Sequence, residues 1–344
     1  MAPSQDGDVT CFISPEVVNK SWFTPGKPVI FVNGMMNSPA NHAESAMAIS
    51  LMLGAPVYGV FNAKINFVSD LWQCLTDKLR LAGVQALPRA GFANWSRVID
   101  AQYAVARQRN PALSKAEYVA SLLGANRATQ SLFRLLVGSP AALLGRPIHC
   151  HSQGNLITSN ALTAVALARG LGSIDGQPVF SYGSPCRYWP HGIARVNNAF
   201  TFDPVSMLDL RADLTSAKIG WKPSHGFPAV HGFQYYAEHD GEFIVNRFRF
   251  GGWGMTLNMD EKGLARFCVA MGTNIRRLRS VFDRLEKAHP TDSDDVAVTY
   301  VNLLSDGQIT ALRSAGPEFI AQLRRILSSG VPFPDERAAI RRLG

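Results

Sequence analysis

From residue 28 to about 205 the chain alternates short apolar runs with longer stretches whose apolar positions recur at helical spacing. Pro28 to Val32 (PVIFV) is nearly all apolar and stops at Asn33-Gly34, the pattern of a strand covered on both faces of a parallel sheet. Residues 41 to 53 then read as a helix. Pro56 to Phe61 (PVYGVF) predicts a second strand and 66 to 82 a second helix. Pro147 to Cys150 predicts a third strand running into Ser152, and Gln153 to Arg169 a long helix stopped by Gly170. Pro178 to Tyr182 and Asn198 to Phe202 add two further strands. Strands alternating with helices predict an α/β fold with a mainly parallel central sheet and helices on both faces.

Two stretches break this rhythm. Residues 85 to 140 read as several helices, including the apolar run Leu132 to Leu144, inserted ahead of the Ser152 strand like a lid. After about 255 the pattern is helical with mixed charges, and Pro290 to Asp295 resembles a linker. The expected organisation is one domain over 1–289 and a small helical extension over 290–344.

Composition narrows the class. Apolar residues make up 47% of the 344 and charged residues 17%, which describes a folded globular chain. No run of eighteen apolar residues suggests a membrane span. The first residues carry neither a basic nor an apolar leader segment. The expected location is therefore the cytoplasm of the producing cell, with any export by a route that needs no signal peptide. Five cysteines are scattered singly, which argues against a disulfide framework and against a zinc site. The net charge of +8 is densest at Arg276, Arg277 and Arg279, and favours anionic partners such as a membrane surface. No nucleic-acid-binding motif accompanies it.

The chemistry concentrates at Ile148-His-Cys-His-Ser-Gln-Gly-Asn155. A predicted strand ends, a serine sits in a tight turn, a glycine follows, and a helix begins. That context lifts a hydroxyl clear of a sheet and sets a helix N-terminus beneath developing negative charge. Here the chain resembles the α/β-hydrolase superfamily of lipases and esterases, whose elbow reads G-x-S-x-G. It departs once, with Cys150 where the first glycine is expected. The resemblance implies an α/β-hydrolase fold with Ser152 as nucleophile. It also gives a role to Asn33-Gly34 in the loop after the first predicted strand. The backbone N–H groups of Met35 and Gln153 then form the oxyanion hole.

In this superfamily the acid and then the histidine follow the serine along the chain. Asp203, directly after the strand predicted to end at Phe202, is the expected acid, with Asp209 and Asp213 as alternatives. His225, His231 and His239 all follow it. His231 is favoured because His-Gly-Phe-Gln-Tyr-Tyr looks like a histidine loop running into a helix, while His239 falls two turns later on an expected surface. His149 is expected to pack against the sheet, and His151 to point away from the hydroxyl.

The implied reaction is Ser-His-Asp acyl transfer from a carboxylic ester to water, without cofactor or metal. The apolar insertion and the loop Phe250 to Met259 favour a lipid ester, making the chain a lipase or phospholipase. The missing leader and basic charge are also similar to those of antibacterial lipase effectors of bacterial type VI secretion. Such proteins imply an immunity protein and a secretion carrier as partners. The alternatives are a cytoplasmic small-ester esterase or thioesterase, and a non-catalytic binding protein of the same fold.

Overall fold

A computed structural model of the chain describes residues 5–35, 37–63, 89–124, 126–138, 143–186, 188–201, 203–206, 217–219, 231–248 and 259–344. The helix expected over 66–82 and most of the apolar loop at 250–259 lie outside them. The described strands are β1 (Val9–Phe12), β2 (Val29–Val32), β3 (Val57–Val60), β4 (Ile148–His151), β5 (Pro178–Tyr182), β6 (Ala194–Phe200) and β7 (Ala217–Ile219). They form one sheet in the order β1-β3-β2-β4-β5-β6-β7. All neighbours are parallel except β1, which runs antiparallel to β3 and makes the sheet mixed. The protein is thus an α/β protein with a mostly parallel sheet.

Alternation along the strands divides the core in two. Ile30, Val32, Ile148, Cys150 and Val179 share one buried cluster. Val29, Phe31, Val57, Tyr182 and Phe200 share another. The first, aliphatic face packs against α5 (Gly154–Arg169), whose residues Gly154 to Leu167 are all buried. A helix apolar around most of its circumference needs cover on its far side. That cover comes from α3 (Lys115–Leu122) and α4 (Arg127–Val137), through Val119, Leu132, Phe133 and Leu136. The second, aromatic face takes α1 (Pro39–Leu53) and α6 (Phe233–Glu238), which bring Ala46, Ile49, Phe233 and Tyr236. Ser38 caps α1 by accepting the Asn41 N–H at 3.1 Å, and Gly54, at φ 64°, ends it in the left-handed region that favours glycine.

The insertion therefore has two parts. Helices α3 and α4 belong to the core layer. Helix α2 (Arg89–Arg109) lies outside them, anchored by Phe92 and Ile99 and leaving Trp95, Val98 and Val105 exposed.

After α7 (Asp240–Val245) come α8 (Glu261–Ala270), α9 (Ile275–Ala288), α10 (Ser293–Leu303), α11 (Asp306–Ala315), α12 (Pro317–Leu327) and α13 (Pro334–Leu343). Leu278, Phe282 and Leu285 of α9 share one apolar core with Tyr300, Phe319, Leu323 and Leu343. The expected boundary at 289/290 falls inside that core. The linker expected at Pro290 to Asp295 shrinks to a short turn before α10. The Arg276–Arg279 cluster does not form one basic patch. Arg277 is turned inward, its Nε donating to Asp240 at 2.6 Å, and Arg279 approaches Glu318 at 3.9 Å. Among the described residues no helix is long and apolar enough to cross a membrane.

Candidate active site

The bend between β4 and α5 is built by contacts that exclude larger residues. Ser152 has φ 55°, and among the described residues it is the one non-glycine with positive φ. Side chains in that region cost about 1–3 kcal/mol and persist where surrounding structure enforces them. A Cβ on Gly154 would stand 2.3 Å from the Val32 carbonyl oxygen, so helix and strand approach only with glycine here. A Cβ on Gly34 would stand 2.4 Å from Ser152 Cβ and 3.0 Å from its Oγ, so the loop after β2 lies directly on the serine. Cys150 fits in place of a glycine because its thiol turns into the aliphatic face, donating to Asn155 Oδ1 at 3.1 Å.

Asp203 follows β6 and is fully buried. Its carboxylate accepts His231 Nδ1–H at 2.9 and 3.0 Å, the Tyr236 hydroxyl at 2.6 Å and the Val205 N–H at 2.9 Å. Burial alone would push this carboxyl up. The donors from His231, Tyr236 and Val205 outweigh it and hold Asp203 below the ordinary carboxylate range. Gly183, at φ 52°, makes the room: a Cβ there would lie 2.7 Å from Asp203 Oδ2 and 3.1 Å from His231 Cε1.

His231 stands just before α6. With Nδ1–H committed to Asp203, Nε2 is left with the ring's lone pair. The residue before the serine is hydrogen-bonded to the backbone of the histidine. His151 Nε2 donates to the His231 carbonyl at 2.6 Å, and the two rings stand 4.7 Å apart. Burial, then the neighbouring His231 charge, lowers the His151 pKa to about 3, so it stays neutral with its Nε2 proton on that carbonyl. His149 stacks on Phe180 at 4.7 Å inside the aromatic face, and burial followed by the Arg277 charge lowers its pKa to about 3.

Of the histidines weighed as base, His231 is the one the described residues bring to Asp203. His239 is half-buried rather than on the surface. It sits at the break between α6 and α7, where Nδ1 donates to the Tyr235 carbonyl at 2.9 Å and the ring lies edge-on to Phe200. His225, Asp209 and Asp213 lie outside the described residues.

The loop after β2 is held by amide side chains. Asn33 Nδ2 and Asn37 Nδ2 donate to the Gly34 carbonyl at 2.7 and 3.2 Å. In a trans peptide the N–H points opposite its carbonyl, so the Met35 N–H faces away from both amides. Asn62 joins this loop to the helix start: its N–H donates to Asn33 Oδ1 at 2.8 Å and its Nδ2 to Gln153 Oε1 at 2.7 Å. Sequence reasoning missed Asn37, Asn62, Gly183 and Tyr236. Only Tyr236 left a signal, as a polar aromatic on the buried face of the helix after the histidine.

Among the described residues no group of three or more His, Cys, Asp or Glu side chains is placed to hold a metal ion. A cleft of about 810 Å³, lined among others by Lys20, Trp22, His239, Arg276 and Glu318, includes none of Ser152, Asp203 and His231. No protein-family model matches the chain, and no curated protein or solved structure matches it.

Tyr236 offers a direct check on the carboxylate. Burial, then the charge of Asp203, raises its hydroxyl pKa well above the ordinary value, so it remains a donor. Tyr236→Phe removes one hydrogen bond to a charged group and is expected to lower stability by about 1.5 kcal/mol in a denaturant titration at neutral pH.

Proposed function

We propose that the chain is a serine hydrolase of the α/β-hydrolase fold that cleaves carboxylic esters, lipid esters foremost, as a lipase or phospholipase. The observation that carries this reading is a serine strained at a strand-to-helix turn, joined through His151 to a histidine that a buried aspartate holds by Nδ1. The chain order Ser152, Asp203, His231 is that of the superfamily. Ser152 Oγ attacks the ester carbonyl while His231 Nε2 takes its proton. Asp203 stabilises the imidazolium. The N–H groups of Met35 and Gln153 receive the oxyanion. The alcohol leaves with the proton from His231, and water activated by the same nitrogen releases the acid.

The lipid preference rests on α2, where Trp95, Val98 and Val105 stay exposed on a helix that also carries Arg97, Arg107 and Arg109. Apolar and cationic residues on one helix suit an anionic membrane surface as partner. Delivery as an antibacterial effector, with an immunity protein and a carrier, belongs to the same proposal.

A fluorophosphonate probe is expected to label the wild-type protein and to spare Ser152→Ala. Failure to label folded wild type would leave a binding protein of this fold. Across p-nitrophenyl esters, kcat/KM is expected to rise from acetyl to octanoyl and beyond. A steep preference for acetyl or butyryl removes the lipid claim and leaves the small-ester esterase.

A further inference from the structure

We infer that Asn155 is a positioning residue: its amide, buried between β4, the turn at Ser152 and β5, locks the nucleophile in its left-handed conformation. This rests on the hydrolase reading for its catalytic consequence. It rests on geometry alone for its structural one.

Asn155 has no exposed surface. Its Nδ2 donates to the carbonyls of Ser152 at 2.9 Å, Cys150 at 3.2 Å and Tyr182 at 3.3 Å. Its Oδ1 accepts from the Ser181 hydroxyl at 2.5 Å and the Cys150 thiol at 3.1 Å. Both amide protons and both lone pairs are thereby engaged, which fixes the orientation of the group. The Asn155 backbone N–H also donates to the Ser152 carbonyl, at 3.0 Å. The Ser152 N–H, on the other side of the strained residue, donates to the Tyr182 carbonyl at 3.0 Å. One side chain therefore grips the serine's carbonyl and the acceptor of the serine's N–H together. A residue at φ 55° relaxes unless the peptides on both sides of it are held: Asn155 holds the one after it directly, and fixes the Tyr182 carbonyl on which the one before it is held. The same contacts account for the elbow's departure from glycine. Cys150 is accommodated because its thiol has a partner in Oδ1.

Asn155→Asp keeps the shape and the acceptor but removes the donors to three carbonyls. Fluorophosphonate labelling and kcat are expected to fall tenfold or more, with KM within twofold and the apparent pKa of the pH–rate profile unmoved. Loss of thermal stability with kcat retained overturns the positioning role. The second arm needs no activity. Asn155→Ala is expected to lower Tm by less than half as much in a Ser152→Gly background as in wild type, because glycine holds this φ without help. Equal losses in both backgrounds overturn the inference even if the hydrolase reading stands. Should Asn155 variants fail to fold, Ser181→Ala, which frees the amide to turn, is expected to slow labelling threefold or more. An unchanged rate overturns the inference too. A wild-type protein that is folded but unlabelled instead removes the hydrolase reading and the catalytic consequence with it, leaving the Tm comparison to decide the lock.

Discussion

Ser152→Ala is expected to lower kcat/KM by about 10⁴-fold or more toward any ester the wild-type protein turns over. The loss falls on the chemical step, because alanine leaves the neighbouring loop, the base and the carboxylate where they are. Ser152→Gly is expected to be as inactive, but the two variants part in stability. Alanine inherits the unfavourable φ of 55°, whereas glycine adopts it freely. Thermal unfolding should therefore place Ser152→Gly above Ser152→Ala. That order is the signature of a strained residue kept for its hydroxyl. The reverse order would mean that the turn is not strained at this position.

Asp203→Asn is expected to lower kcat by about 10⁴-fold. The carboxylate receives donors on both oxygens: Val205 N–H and His231 Nδ1–H on Oδ1, Tyr236 O–H and His231 Nδ1–H on Oδ2. An amide supplies one oxygen and one donor group, so it cannot satisfy this set in either orientation. Turned toward the histidine, its NH₂ makes Nδ1 an acceptor and moves the ring proton to Nε2, where the base must be free. The stability consequence has a defined sign. The carboxyl is held below its ordinary value, so its contribution is complete above the ordinary carboxylate range and is lost as pH falls through the depressed value. The Tm gap between wild type and Asp203→Asn should narrow on acidification below pH 4. A gap that widens there would contradict the arrangement.

Much of this was legible in the sequence. The buried parallel strand β2 read as an apolar run, since both of its faces are covered, and β3, β4 and β5 as short strands between helical stretches. Strand β1 escaped because VTCF at the sheet edge is short and only partly buried, which leaves its apolar pattern weak. Strand β6 begins at Ala194, four residues before its expected start, because Arg195 and Asn197 hide the pattern. Ser152 and Asp203 were singled out by their place after predicted strands and His231 by the segment that follows it, and the structure brings His231 onto Asp203. Asn155, Asn62 and Tyr236 were not, since each acquires its role only where elements distant in sequence cross. The break in the helix at His239 was equally invisible. The ring nevertheless lies against Phe200, one turn beyond the buried Tyr235 and Tyr236 and on their face of the helix.

The helices beyond the sheet bear on how this protein comes apart. Phe243 of α7 packs with the aromatic layer beneath the site, while its neighbours Ile244 and Val245 pack with Phe282 and Phe319. Asn274 reaches back to the Met52 carbonyl at 2.7 Å. A chain cut after Ala288 would present the apolar flank of α9 to water, and the loosening would pass through α7 to the helix that carries Tyr236. The sheet half and the carboxyl-terminal half are therefore expected to melt in one transition, the last helices acting as ballast for a serine far from them in sequence.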